Sequence, residues 1–262
     1  MNIKLNGRTA LVGGASKGIG LGIAQSLADC GASLFLMARS EAKLAQAIAT
    51  LSVSQGQKHD YLVTDFNDHG EHRQRVESFF DRHRIDILVN NSQGPAAGDV
   101  LEKSTSDYQS AFDLLFQNHI LTANLALKHM QEQQWGRIIN VSSLTTKQPQ
   151  DHLVLSNTMR LALISWAKSL SKAVAGQGVT VNSILTGYFE TERLESLMQG
   201  QAASLGLPLT EIKAQRLREI PAGRLGQPLE YGYLASFLAS DYAAYLTGAA
   251  IPLDGGLADV VL

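Results

Sequence analysis

A short apolar run, Thr9 to Val12, leads into the turn Gly13-Gly14-Ala15-Ser16-Lys17-Gly18-Ile19-Gly20. From Ile19 to Ala28 apolar residues then recur at helical spacing. Strand, glycine turn and helix in that order open a nucleotide-binding βαβ unit. Gly14 permits a tight turn, Gly18 lets the backbone approach a pyrophosphate, and Gly20 lets the helix pack closely on the strand. Free N–H groups at the helix start face the phosphates. The spacing Gly14-x3-Gly18-x-Gly20 departs from the commoner G-x-G-x-x-G and would be weak alone. Its position directly after the first strand favours a cofactor site over an ordinary glycine-rich loop.

The rest of the chain repeats the alternation. Strands are expected at Thr9–Val12, Ser33–Met37, Tyr61–Val63, Ile85–Asn90, Arg137–Val141, Val179–Leu185 and Ala249–Leu253. Helices are expected at Ile19–Asp29, Glu41–Leu51, His69–His83, Thr105–Gln133, Leu153–Val174 and Leu229–Ala239. Such alternation predicts an α/β fold: one doubly wound, Rossmann-like domain over residues 1–262 with a parallel seven-stranded sheet. No repeat, low-complexity stretch or linker interrupts it. With 22 Lys and Arg against 24 Asp and Glu, the net charge of −2 speaks against nucleic acid or an anionic membrane as an obligatory partner. No apolar run approaches the ~20 residues that span a bilayer. Met1-Asn2-Ile3-Lys4-Leu5 lacks a signal-peptide core, so a cytoplasmic location is expected. The single cysteine, Cys30, excludes an internal disulfide and reads as packing; no metal site is expected.

The second strand ends in Ala38-Arg39, where an acid would hydrogen-bond the ribose of NAD. Arg39 and Lys17 instead favour a 2′-phosphate, hence NADP(H). Glu41, the nearest acid, suits the first turn of the next helix. Asp65, before Phe66, ends the third strand and can reach the adenine edge. Asn90 and Asn91 leave the fourth strand as amides that need partners, either bracing the glycine turn or touching the ribose. Asn118, inside a long apolar helix, marks a local irregularity that holds a water. Its neighbour His119 reads equally as a surface residue facing a partner.

On the pieces Gly14-x3-Gly18-Ile19-Gly20, Asp65, Asn90-Asn91, Asn118, Gly136-Arg137-Ile138-Ile139-Asn140-Val141-Ser142-Ser143, Pro221-Ala222-Gly223-Arg224-Leu225-Gly226, Tyr245-Leu246-Thr247-Gly248 and Leu253-Asp254-Gly255-Gly256, the chain resembles the short-chain dehydrogenase/reductase family. Along almost its whole length it is similar to the 3-oxoacyl-acyl-carrier-protein reductase group. The resemblance implies NADP(H) held by Gly14, Ser16, Lys17, Gly18, Ile19, Gly20, Arg39, Asp65, Phe66, Asn91, Ser92, Arg160 and Thr191. It also implies catalysis around Asn118, Ser143, Ser156 and Arg160.

The catalytic motif has changed, however. The family carries Ser, then Tyr thirteen residues later, then Lys four beyond. Here those positions hold Ser143, Ser156 and Arg160, with no tyrosine between Tyr108 and Tyr188. In the family the phenol supplies the proton, its acidity raised by the ammonium. Ser156 is shorter and a weaker acid. Arg160 keeps the charge on the same helix face and can clamp the ribose, but a guanidinium relays protons poorly. Candidate substitute acids are Tyr188 and His152; the reading preferred for each is the bland one, in which His152 caps a helix and Tyr188 lines the substrate pocket. Gly13 replaces the usual threonine, Gln93 a glycine, and Thr186-Gly187 a Pro-Gly, which should loosen a turn beside the nicotinamide.

By resemblance, residues 190–220 form a helical lid over a small-molecule or acyl-thioester substrate. The helices Thr105–Gln133 and Leu153–Val174 would form a homodimer interface, and Leu253–Leu262 would complete a homotetramer. Three functions are compatible with these readings: an NADP(H)-dependent reductase of a 3-oxoacyl-like carbonyl with an altered proton donor, a lyase or isomerase using Ser143, Ser156 and Arg160 around an oxyanion, and a non-catalytic NADP(H)-binding protein.

Overall fold

The structure is a computed structural model describing residues 2–260; the last two residues of the tail expected to complete a tetramer lie outside them. Seven parallel strands form one sheet: β1 (Thr9–Gly13), β2 (Ser33–Ala38), β3 (His59–Val63), β4 (Ile87–Asn90), β5 (Gly136–Val141), β6 (Val179–Thr186) and β7 (Ala250–Leu253). Their order is β3-β2-β1-β4-β5-β6-β7. The direction of winding therefore reverses between β1 and β4, and a doubly wound sheet binds ligands in the crevice at that switch point.

Helices α1 (Gly18–Asp29), α2 (Glu41–Ile48), α3 (His69–Phe80), α4 (Thr105–Phe112), α5 (Asn118–Glu132) and α6 (Val154–Val174) connect the first six strands. α7 (Glu192–Leu205), α8 (Leu209–Glu219) and α9 (Pro228–Ala239) lie between β6 and β7. The strands of the sheet interior are buried on both faces, which explains their near-continuous apolar character. One core cluster joins α1, α9 and the sheet around Ile23, Leu27 and Leu238. The other packs α3, α5 and α6 on the opposite face around Phe79, Leu115 and Met130.

The helix expected over Thr105–Gln133 is divided. A π-helical turn, Asp113–Gln117, separates α4 from α5 and ends at Asn118. The irregularity expected at Asn118 is therefore real, and it lies on the turn before it. His119 is not a surface residue. It is 2% exposed, and neither ring nitrogen has a hydrogen-bond partner among the described residues.

Candidate active site

One cleft of about 840 Å³ opens at the carboxyl ends of the strands, within the size range of small-molecule and cofactor sites. At one end lies the glycine turn. Gly14 and Gly18 take left-handed backbone conformations, with φ of +56° and +57°. A Cβ at Gly20 would come within 2.3 Å of the Gly14 carbonyl oxygen, so a side chain there would prise α1 off the turn. The first turn of α1 contains no acidic residue, which leaves its N–H groups open to an anion. Asn91 braces the glycine turn: its Nδ2 donates to the Gly13 carbonyl at 2.9 Å. Asn90 turns inward, its Nδ2 donating to Asn140 Oδ1 at 2.9 Å.

Gly14, Ser16, Lys17, Gly18, Ile19, Gly20, Arg39, Asp65, Phe66, Asn91, Ser92 and Thr191 all line this cleft. Arg39 is exposed and makes no ion pair among the described residues, whereas Lys17 pairs with Glu192 at the start of α7. Asp65 Oδ1 accepts from both the backbone N–H and Nδ2 of Asn67, which holds the loop after β3. Thr191 caps α7 through Leu194 N and packs its methyl close to Gly18. These features fit a phosphorylated dinucleotide: a glycine cradle that a Cβ would fill, a helix start clear of acids, and an unpaired cation beyond β2.

At the far end, Ser143, Ser156, Arg160 and Tyr188 share the same cleft. Arg160 is 9% exposed. Its Nη1 donates to the Val141 carbonyl at 2.6 Å and its Nε to Ser156 Oγ at 3.2 Å. Burial pulls this guanidinium down to about 10, which leaves it charged at neutral pH. Ser156 accepts from Arg160, and Ser143 Oγ accepts from Thr145 N at 3.2 Å and from Thr145 Oγ1 at 2.9 Å. Both serines therefore keep their own hydrogens free for a ligand in the cleft.

Tyr188 lies against α8. Its hydroxyl accepts from Arg216 Nη1 at 2.7 Å and from Gln150 Nε2 at 3.3 Å, with the Arg216 guanidinium over its ring. His152 lines the cleft but does not cap α6, which begins at Val154 without a side-chain cap. Burial first, and Arg216 second, hold His152 below its usual range, so it is neutral near pH 7.

Two expectations are corrected here. Asn118 does not reach the cleft. It is fully buried, donating through Nδ2 to the Phe66 carbonyl at 2.8 Å while Oδ1 meets His69 Nδ1 at 2.6 Å. Its side chain supports the loop after β3 and does not line the cleft. Nor does Thr186 loosen the turn after β6: its Oγ1 bonds the buried Tyr231 hydroxyl at 3.1 Å, and Gly187 N donates to the Leu253 carbonyl at 3.1 Å. A hydroxyl bond and a ladder bond replace the stiffness of proline.

Sequence reasoning missed Glu192, Arg193 and Arg216, all contributed by the segment after β6 and all lining the cleft. The available signal was the density of charge flanking Thr191; what it lacked was which side chains turn inward. α7 and α8 lie where a lid was expected, packed through Leu194, Met198, Ala202 and Ile212.

Comparison with known proteins agrees with this geometry. Residues 14–258 match the family model described as enoyl-(acyl carrier protein) reductase. The 3-oxoacyl-(acyl-carrier-protein) reductase FabG of Chlamydia pneumoniae is 31% identical, over 98% of this chain and 99% of the relative. The oxidoreductase UcpA of Escherichia coli K12 is 34% identical, over 97% and 95% respectively. The L-sorbose reductase of Gluconobacter frateurii, solved with NADPH and L-sorbose, superposes with a TM-score of 0.91 at 27% identity, covering 100% of both chains. YwfH, an NADPH-dependent reductase involved in bacilysin biosynthesis, gives 0.90 at 28%, covering 97% of this chain and 99% of its own.

Proposed function

Because the chain belongs to the short-chain dehydrogenase/reductase family of oxidoreductases, we propose that it reduces a carbonyl compound with NADPH, taking its proton from Tyr188. NADPH, when bound, supplies the hydride. Lys17 and Arg39 would hold the 2′-phosphate, the start of α1 the diphosphate, and Arg160 the ribose beside the carbonyl.

The observation that carries the reading is the direction of the hydrogen bonds at Tyr188. Both of its partners, Arg216 and Gln150, are N–H donors. The phenol oxygen is therefore an acceptor twice over, and its own hydrogen is left to be given. After transfer, the phenolate faces a guanidinium and an amide. The family's pairing of a phenol with a cation is thus rebuilt from the segment after β6 and from α8. Ser143 and Ser156 offer free hydroxyl hydrogens to the carbonyl oxygen, and Arg160 adds a fixed charge that strengthens as an alkoxide develops. His152, being neutral, is the poorer acid of the two candidates. α7 and α8 act as the lid that excludes water.

The test is a fluorescence titration with NADPH and NADH, followed by nicotinamide absorbance with 3-oxo esters, 3-oxoacyl thioesters, quinones and keto sugars. Preference for NADPH and consumption on one carbonyl class support the reading. NADPH binding with no consumption on any class would leave a binding protein in its place.

A further inference from the structure

Besides Lys17 and Arg39, three guanidinium groups line the cleft: Arg160, Arg193 and Arg216. Arg216 is answered by Glu219, with Nη1 to Oε2 at 3.0 Å. Arg160 and Arg193 have no carboxylate within ion-pair distance among the described residues. Nor are the acids of the cleft free to serve them. Glu192 is taken by Lys17, Glu190 accepts from Gln227 Nε2 at 2.6 Å, and Asp65 accepts from Asn67.

Arg193 is the more instructive of the two. Its Nη2 donates to the Pro95 carbonyl at 2.8 Å, which fixes the plane of the guanidinium beside the loop after β4. Nε and Nη1 carry no partner among the described residues. Arg193 is exposed overall, and the desolvation it does meet along the cleft lowers its basicity. Its charge also bears on Arg160, lowering the basicity of that group after burial has done so. A buried guanidinium, Arg160, with a like charge near it and no counter-ion is unfavourable. Ligand negative charge removes that penalty.

Resting on the reductase reading, we propose that the substrate carries its own carboxylate, an oxo acid rather than a neutral ester or thioester, and that Arg193 is the receptor for that carboxylate. Nη2 has two hydrogens, one on each two-pronged edge of the guanidinium; with one given to Pro95 and both Nε and Nη1 unpaired, the other edge stays open to a carboxylate. Arg193 lies five residues beyond Tyr188 in the same segment, so one stretch of chain supplies both the proposed proton donor and the anion receptor. Arg193 is thereby a specificity-determining residue, and its link to Pro95 closes α7 over the bound acid.

The experiment titrates the protein, with and without NADPH, using acetoacetate and levulinate against their methyl esters and S-acetoacetyl-N-acetylcysteamine. At least one free acid should bind about tenfold or more tightly than its ester, the usual size of a charge-assisted pair. Arg193→Gln should reduce that preference to less than about threefold while leaving NADPH affinity within about twofold, and Arg193→Lys should restore part of it. Thermal melting of each variant verifies its fold. The proposal is overturned by acids and esters that bind alike, by a preference that survives Arg193→Gln, or by NADPH affinity that falls with the substitution, since the guanidinium then serves the cofactor. Titration without NADPH keeps this outcome readable even where cofactor binding, and with it the reductase reading, fails.

Discussion

Asn91→Ala tests whether the glycine turn is held from outside. In the wild type, Asn91 Nδ2 donates to the Gly13 carbonyl at 2.9 Å, and the same nitrogen lies 2.7 Å from where a Cβ on Gly14 would stand. Truncation deprives a partly buried carbonyl of its donor, which costs about 1–3 kcal/mol. It also removes the side chain against which Gly14 is packed. A loss of about 1–2 kcal/mol in a domain of this size lowers Tm by roughly 2–8 °C. Because the turn must be ordered before phosphates can dock, the NADPH dissociation constant should rise about 5- to 30-fold by the same free energy. Asn91→Asp is the sharper variant. It keeps the shape but turns a carboxylate oxygen towards the Gly13 carbonyl, so it should bind NADPH more weakly than Asn91→Ala. Thermal melting and fluorescence titration read the two effects. Unchanged NADPH affinity in both variants would refute the bracing role, and an Asp variant better than Ala would refute its hydrogen-bond origin.

Two further outcomes follow from ionised groups. Glu192→Gln frees Lys17 from an exposed ion pair and should tighten NADPH binding a few-fold at low salt, an advantage that disappears at high ionic strength; titrations at two salt concentrations decide it. His72 and His119 are buried and held down to about 4 and about 3, in each case first by burial. Both are neutral when folded, whereas the unfolded chain takes up protons below about 6.5. Their contribution is therefore complete above pH 6.5 and is lost as pH falls towards 4, at about 1.4 kcal/mol per pH unit for each. Urea unfolding should show up to about 4 kcal/mol lost between pH 6.5 and 5. His119→Phe should halve the slope; a flat profile would contradict the burial of both rings.

The sheet and most helices were legible because buried parallel strands are continuous apolar runs bounded by turn residues, as Ile87-Leu88-Val89 and Val179 to Leu185 illustrate. The cofactor half was legible for a different reason: a helix start facing phosphate demands glycines at fixed places, and those cannot be disguised. The surface alternative for His119 stayed open because a polar residue in a helix reads as readily exposed as buried. The π-helical turn Asp113–Gln117 that accompanies its burial leaves no mark in apolar periodicity. Thr186 was misjudged for a related reason. Proline stiffens a turn locally, whereas the hydroxyl bond to Tyr231 spans 45 residues. The arginines of α7 and α8 went unread because long side chains on a polar amphipathic helix look alike until one sees which turn inward. Arg216 over Tyr188 and Arg193 on Pro95 are tertiary facts. That no tyrosine stands between Tyr108 and Tyr188, by contrast, is plain from the sequence, and it directs attention to Tyr188.

The central claim of the proposed function is that Tyr188, in the segment after β6, supplies the proton while the grip on the dinucleotide is kept. Steady-state turnover of Tyr188→Phe, with NADPH affinity measured on the same preparation, addresses it most directly. The account expects kcat to fall by about 100-fold or more, the usual scale for losing a general acid, with the NADPH dissociation constant within about twofold of wild type. Turnover equal to wild type would contradict it, and so would a loss explained entirely by weakened NADPH binding.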